Sequence, residues 1–285
     1  MANSLQPQMN AARTPSAGVN SEGQFLSGLR IQYNVIRALI LREIITRWGR
    51  KNIGFLWLFA EPLVFILILV EVFSLRREAN FGAAHNGISL IAFVLTGYCL
   101  VMTWRNAASK GSDAVSASAS LLHHRNVRPI DLYLSRLILE FISISAAFFG
   151  LLFIFCILEI TPWPKDILRM MIAWCLMLWF GLGFGLFFGT LMALSDIFAF
   201  VWRGINLGLF FVSGVFFFAA WLPVSLRELV LWVPMVHGTE MLRHGYFGDL
   251  VLTYENPWYL ISWNLVLTFL GLWIIRSPKL IDLME

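Results

Sequence analysis

Charge is scarce in this chain. Asp, Glu, Lys and Arg make up 13% of its 285 residues, about half the share of a soluble globular domain. With 59% hydrophobic residues, too little polar surface remains to coat a soluble sphere, and no stretch reads as an appended soluble domain. Cysteine is scarce too. Cys99, Cys156 and Cys175 all fall inside apolar stretches, which argues for packing and against a disulfide frame or thiolate metal site. Enzymatic signatures are missing. There is no GxxxxGK(S/T) phosphate loop, no GxSxG and no HExxH, so the chain does not hydrolyse ATP by the phosphate-loop route. The net charge of +4 does not indicate nucleic acid, because the basic residues sit beside apolar stretches and form no patch. The first residues do not read as a secretory signal. Arg13 stands upstream, but no apolar core with a small-residue cleavage site follows it.

What the chain does have is about six apolar stretches, near 53–75, 88–108, 132–158, 169–194, 197–220 and 257–275. Each is close to the roughly 20 residues that cross a bilayer as a helix. The expected fold is all-α: a polytopic membrane protein with six transmembrane helices. Residues 1–24, rich in Asn, Ser, Gln, Ala, Pro and Gly, predict a disordered tail. Residues 25–50 repeat Phe25, Leu29, Tyr33, Ile36, Ile40 and Ile44 at helical spacing, with Arg30, Arg37, Arg42, Arg47 and Arg50 between them. Such a basic amphipathic helix lies among lipid headgroups or packs on a partner protein, and the two readings are compatible. Residues 51–285 form the six-span block.

An even number of spans puts both ends on one side. With the tail, the 109–131 loop, the turn at Ser195-Asp196 and the C-terminal RSPKLIDLME inside, about fifteen Lys and Arg face the cytoplasm and about six face out. That excess predicts cytoplasmic termini. Gly181, Gly185 and Gly189 form a small-residue row on the fourth span, echoed by Gly204 and Gly208 on the fifth. Rows of this kind let helix backbones approach closely in lipid.

The segment 221–256 is too long and apolar for an ordinary loop, and WLPVSLRELVLWVP is too short to cross. It reads as short re-entrant helices on the outer side, over about 221–250, between spans five and six. Its many rings, Trp221, Trp232 and Tyr246 among them, fit either an interfacial aromatic belt or a surface that stacks on sugars. His237, Glu240 and His244 share a helical face, but Glu240 and Arg243 at i, i+3 read more simply as a structural pair, and no metal site is expected. Glu61, just before Pro62 in the first span, faces either a polar path or a neighbouring helix. Arg105 lies near a span end, where a long side chain snorkels. In the 109–131 loop a short helix would present Leu121, Leu122 and Val127 with Arg125 and Arg128, while Pro129 redirects the chain. That is the best candidate for docking a cytoplasmic protein.

Four features together resemble one family: GRKNIGFLWLFAEPL, RNVRPIDLYLSRLILE, SGVFFFAAWLPVSLRELVLWVPMVHGTEMLRHGYF and the six-span layout. They are similar to the permease subunit of polysaccharide-exporting ABC transporters, above all the capsule polysaccharide export permeases of Gram-negative bacteria. The likeness covers roughly residues 30–285. It implies a homodimer in the inner membrane, bound to a dimer of cytoplasmic ATP-binding subunits that hold ATP and Mg, with no cofactor in this chain. It implies a coupling helix at about 119–131, with Leu121, Leu122, Arg125, Asn126, Val127, Arg128 and Pro129 contacting the ATPase. The helix at 25–50 matches the family's interface helix. The implied cargo is a lipid-linked polysaccharide, moved through a channel between the two copies. Trp57, Glu61, Trp104, Arg105, Trp221, Trp232 and Tyr246 are then candidates for its path. A periplasmic adaptor or co-polymerase and an outer-membrane channel are implied partners, besides membrane lipids. Export of O-antigen, teichoic acid or another lipid-linked polymer is the neighbouring reading. A membrane-embedded glycosyl- or acyltransferase is the rival from another class, and the acidic and His cluster it needs does not assemble.

Overall fold

The structure is a computed structural model and describes residues 21–48, 54–77, 88–116 and 128–277. Nine α-helices and no strand occur among them: α1 (Ser21–Trp48), α2 (Gly54–Arg77), α3 (Leu90–Ser116), α4 (Pro129–Ile157), α5 (Ile167–Leu194), α6 (Asp196–Val212), α7 (Val224–Val230), α8 (Pro234–Phe247) and α9 (Pro257–Ile274). The tail predicted over 1–24 falls mostly on residues 1–20, outside the described residues, and α1 already begins at Ser21.

Local chemistry sets several boundaries. Asp166 accepts a hydrogen bond from the Arg169 backbone N–H and starts α5. The Ser195 hydroxyl accepts from Phe198 N–H and starts α6, and Asn256, followed by Pro257, accepts from Tyr259 N–H and starts α9. Each satisfies a backbone donor that a helix start leaves open. Among the described residues, four helices are long and apolar enough to cross a membrane: Leu90–Asp113, Ile130–Ile157, Ile167–Leu194 and Pro257–Ile274.

The fifth apolar stretch departs from its expected limits of 197–220. Its helix, α6, is 17 residues and stops at Val212. Gly214 follows at φ +86, a left-handed conformation that glycine adopts without the penalty a Cβ brings. A short 3₁₀ turn, Ala219–Trp221, then leads into α7.

The core is an α3–α5–α9 stack with α4 and α8 against it. Gly181, Gly185 and Gly189 lie on the α3 side of α5. A Cβ at Gly185 would meet the Ala107 carbonyl oxygen at 2.9 Å, and one at Gly189 would meet Gly111 Cα at the same distance. The expected packing seam is therefore present, with the two backbones in near contact. The opposite face of α5 meets α9, where a Cβ at Gly271 would lie 2.7 Å from Leu186 Cβ. Phe148 stacks on Trp174, ring centroids 4.4 Å apart, and joins α4 to α5.

The row on α6 is different. A Cβ at Gly204 or Gly208 meets nothing within 4 Å, and Ile197, Phe200, Leu207 and Phe211 are exposed around them. Large apolar side chains also point outward from α4, α5 and α9, including Phe153, Leu168, Phe269 and Trp273. A surface this apolar suits hydrocarbon and not water.

Candidate coupling end and cargo-facing surface

The bundle has two distinct ends. At one, α1 packs on the start of α4. At the other, α8 packs on the starts of α3 and α5.

At the α1 end a second, smaller core joins the termini of four helices: Ala107, Leu132, Tyr133, Leu137, Leu186 and Ile275, with Leu39 of α1 packed against it. Polar contacts frame it. Asp131, in the first turn of α4 and 2% exposed, accepts from the Arg128 backbone N–H at 3.1 Å and from the Gln32 side-chain amide at 3.0 Å. A carboxylate there also suits the positive end of the helix dipole. Farther along, Arg136 meets Glu43 at 3.8 Å. The outer face of α1 carries Arg30, Ile31, Tyr33, Arg37, Leu41 and Ile45, all exposed. That mixture of guanidinium and apolar side chains fits a headgroup layer. Of the predicted docking residues, Leu121, Leu122, Arg125, Asn126 and Val127 lie outside the described residues. Arg128 is exposed at the mouth of α4 and Pro129 opens that helix.

At the α8 end Arg243 and Glu240 do not form the expected direct ion pair. Each serves backbone instead. The Arg243 guanidinium is fully buried. It donates to the carbonyls of Gly214 at 2.6 Å, Phe217 at 2.7 Å, Val215 at 2.8 Å and Phe93 at 3.3 Å. It also lies over the Phe93 and Phe218 rings, at 3.9 and 4.8 Å. Burial pulls its pKa down to about 9, which leaves it cationic at neutral pH. Glu240 accepts from the N–H groups of Ala219 and Tyr254. Burial pushes its carboxyl up, against the pull of the Ala219 bond and Arg243. The pair thus carries the backbone of the turn where α6 stops. The reason is accounting: a chain that leaves a helix in an apolar setting exposes carbonyls that water cannot reach, and a buried cation with several donors meets them.

His237 is likewise a connector. Its Nδ1 accepts from Asn256 N–H at 3.1 Å, which leaves Nε2 to donate to the Leu231 carbonyl at 2.8 Å. Burial lowers its pKa. His244 faces Glu255 at 3.2 Å and Arg169. Among the described residues no group of three or more His, Cys, Asp or Glu could hold a metal.

The predicted cargo residues separate into two groups. Trp104 and Tyr246 are buried, at 0% and 1% exposure. Trp104 packs edge-on against Phe184, and the Tyr246 hydroxyl donates to the Pro162 carbonyl at 2.7 Å. Their own chain surrounds them, so both belong to the interior of the bundle. Glu61 is exposed on α2, and Arg105 is half-buried on α3 with its guanidinium 4.8 Å from the centre of the Phe210 ring. Between them Tyr98 stacks on Phe65, centroids 4.0 Å apart. Here α2 and α3 bring an acid, a cation and the half-buried Phe65 ring to one side of the bundle, with Tyr98 and Phe210 buried behind them. Sequence reasoning had not singled out Phe65, Tyr98 or Phe210, whose apolar surroundings hide them among core residues. Trp221 is half-buried between Phe93 and Phe218, whereas Trp232 is 76% exposed at the α8 end. The Trp57 side chain lies outside the described residues. Arg227 of α7 is held inward, donating to Ala219 and Leu222 carbonyls and to the Tyr254 hydroxyl. This leaves Val224, Leu229 and Trp232 facing out.

Comparison with known proteins gives these surfaces a context. Residues 34–247 match the family model described as ABC-2 type transporter. The capsule polysaccharide export inner-membrane protein CtrC of Neisseria meningitidis serogroup A is 47% identical over 251 residues, 88% of this chain and 93% of that protein. BexB of Haemophilus influenzae, which carries the same description, is 42% identical over 253 residues, 89% of this chain and 94% of that protein. The polysialic acid transport protein KpsM of Escherichia coli is 28% identical over 260 residues, 89% and 96% of the two chains. Both the extent of the family match and the near full-length likeness to these transport proteins place the chain in the ABC-2 type transporter family.

Proposed function

We propose that the chain is the membrane subunit of an ATP-driven exporter that moves lipid-linked capsular polysaccharide across the inner membrane of a Gram-negative bacterium. The observation that carries this reading is the likeness, over nearly the whole length, to CtrC and BexB, whose described activity is capsule polysaccharide export. In this reading α2, α3, α4, α5, α6 and α9 are the six spans. The pair α7 and α8 is re-entrant at the periplasmic end, α1 lies in the cytoplasmic headgroup layer, and both termini are cytoplasmic. The excess of Lys and Arg on that side supports the orientation. ATP and Mg belong to a separate subunit docked at about 119–131, and a periplasmic adaptor and an outer-membrane channel continue the route.

Two copies complete the conduit. The open α6 row supports this, because Gly204 and Gly208 are small-residue positions without a neighbour among the described residues and such rows seat helices in lipid. The sugar chain then passes along the side that carries Glu61, Phe65 and Arg105. Rings hold sugars by their apolar faces with little chemical selection, which suits a repeating polymer that must keep moving. The test is deletion and complementation. Removing the gene should abolish surface polymer and leave it inside the cell, and the tagged chain should bring down an ATP-binding subunit. Normal surface polymer in the deletion strain would overturn the assignment.

A further inference from the structure

The joint between α1 and α4 is built around one buried carboxylate. Arg128 is the first described residue after the predicted docking segment, and its backbone N–H is bonded to Asp131. The other oxygen of the same carboxylate is bonded to Gln32 of α1. Asp131 is 2% exposed, and a buried carboxylate deprived of its donors is costly. The neighbouring Arg136–Glu43 contact is longer, at 3.8 Å, and more open. Leu39 of α1 sits between the two polar points, in the core shared by α3, α4, α5 and α9. A displacement arriving through residues 119–127 reaches α4 along the chain. It reaches α1 through the side chains that join the two helices, this carboxylate among them.

We infer that Asp131 is a positioning residue for energy coupling: with Gln32 it makes α1 and α4 move as one body when the docked ATP-binding subunit pushes on the segment that ends at Arg128. This rests on the exporter reading above, and it adds the residue pair through which the stroke is divided. The joint would keep the headgroup helix in register with the span, so that the stroke tilts the span and is not lost in sliding between the two.

The test uses the intact complex of this chain with its ATP-binding subunit, in vesicles of phosphatidylethanolamine and phosphatidylglycerol, alongside cells that make the host's own capsule. The informative variant is Gln32→Ala, which removes the bond between the helices and leaves the α4 cap in place. Its expected signature is normal protein level, normal binding of the ATP-binding subunit and a near-normal ATPase rate, with surface carbohydrate down about tenfold, the weight of one hydrogen bond to a charged group. Spin labels at Ala38 of α1 and Ile142 of α4, in a Cys175→Ser background, should keep one separation with and without ATP in the parent and show two in Gln32→Ala. Gln32→Lys, which restores a donor to the carboxylate, should recover both readouts. Asp131→Asn, which keeps the side-chain size and one acceptor, should fall between. Parental export by Gln32→Ala would overturn the inference, as would lost export with an unchanged label separation or with lost partner binding. Failure of the exporter reading would show separately, as surface polymer that persists when the whole gene is removed.

Discussion

Replacing Arg243 by Met removes the guanidinium but keeps most of the volume. Three carbonyls, those of Gly214, Val215 and Phe217, then lose the donor that meets them. The Phe93 carbonyl keeps a second donor, the Thr96 hydroxyl at 3.0 Å. Each stranded buried acceptor costs about 1–3 kcal/mol, roughly 3–9 kcal/mol for three. Relief from holding a cation out of water returns several kcal/mol. The net expectation is a loss of about 3–5 kcal/mol, a large part of the 5–15 kcal/mol typical of a folded protein. Met also gives up the guanidinium's contacts with Phe93 and Phe218, which places the loss at the upper end. Arg243→Lys retains charge and up to three donors on a single nitrogen, so it should lose about half as much. Thermal unfolding in detergent, followed by intrinsic tryptophan fluorescence, is the assay. Each kcal/mol is worth about 2–4 °C in a chain of this size, so Met should lower the midpoint by roughly 10–20 °C and Lys by roughly 5–10 °C. A Met variant within about 2 °C of the parent would show that the carbonyls find other partners and that Arg243 does not hold the turn.

The two glycine rows should respond oppositely. Gly189→Val forces a side chain into Gly111 and should destabilise the chain by about 1–3 kcal/mol, whereas Gly208→Val meets open space and should leave the unfolding midpoint alone while lowering dimer yield and surface polymer; equal effects would remove the distinction between seam and open face. His237 gives a pH signature. Its pKa is lowered in the folded state from the ordinary 6.5, so the folded chain binds fewer protons than the unfolded one, and the stability this site contributes is complete above pH 6.5 and declines as the pH falls below it. His237→Gln should flatten that part of a stability profile, and an unchanged slope would contradict the burial of the ring. At the cargo-facing side, Arg105→Gln should cut export of an acidic capsule several-fold while costing at most about 1–2 kcal/mol, the value of one cation–π contact. Surface carbohydrate against unfolding midpoint separates the two effects, and a proportional fall in both would make Arg105 structural.

Four long apolar helices were readable in the sequence because lipid requires unbroken apolar length, and helix starts were readable where a cap residue stands at the edge, as at Asp166 and Asn256. The end of α6 was not. Residues 197–220 are apolar throughout, and what stops the helix lies partly some 30 residues downstream, in Arg243. Spacing alone pointed to a Glu240–Arg243 pair. In the fold both groups answer a stronger demand, the unmet backbone of the turn beside them. Glycine rows carried real information but not its meaning: Gly185 and Gly208 look alike in sequence, yet one touches a neighbouring backbone and the other touches nothing. The residues expected along a cargo path divide for the same reason, since Trp104 and Arg105 are adjacent in the chain while one points into the core and the other lies half-exposed.

The two ends of the bundle are fastened by different kinds of bond, and this constrains how a stroke travels. At the α8 end a buried cation grips main-chain carbonyls, so α3, the 213–219 turn and α8 are tied backbone to side chain into one stiff piece. Along the middle, α3 and α5 approach so closely at Gly185 and Gly189 that sliding would drive backbone atoms together. At the α1 end the ties run between side chains, Gln32 to Asp131 and Glu43 to Arg136, and they hold α1 against α4. Among the described residues, the α6 row at Gly204 and Gly208 has nothing against it. A push at the α1 end is therefore expected to move the α3–α5–α9 stack as a unit, and the uncovered α6 face is where the displacement can be taken up.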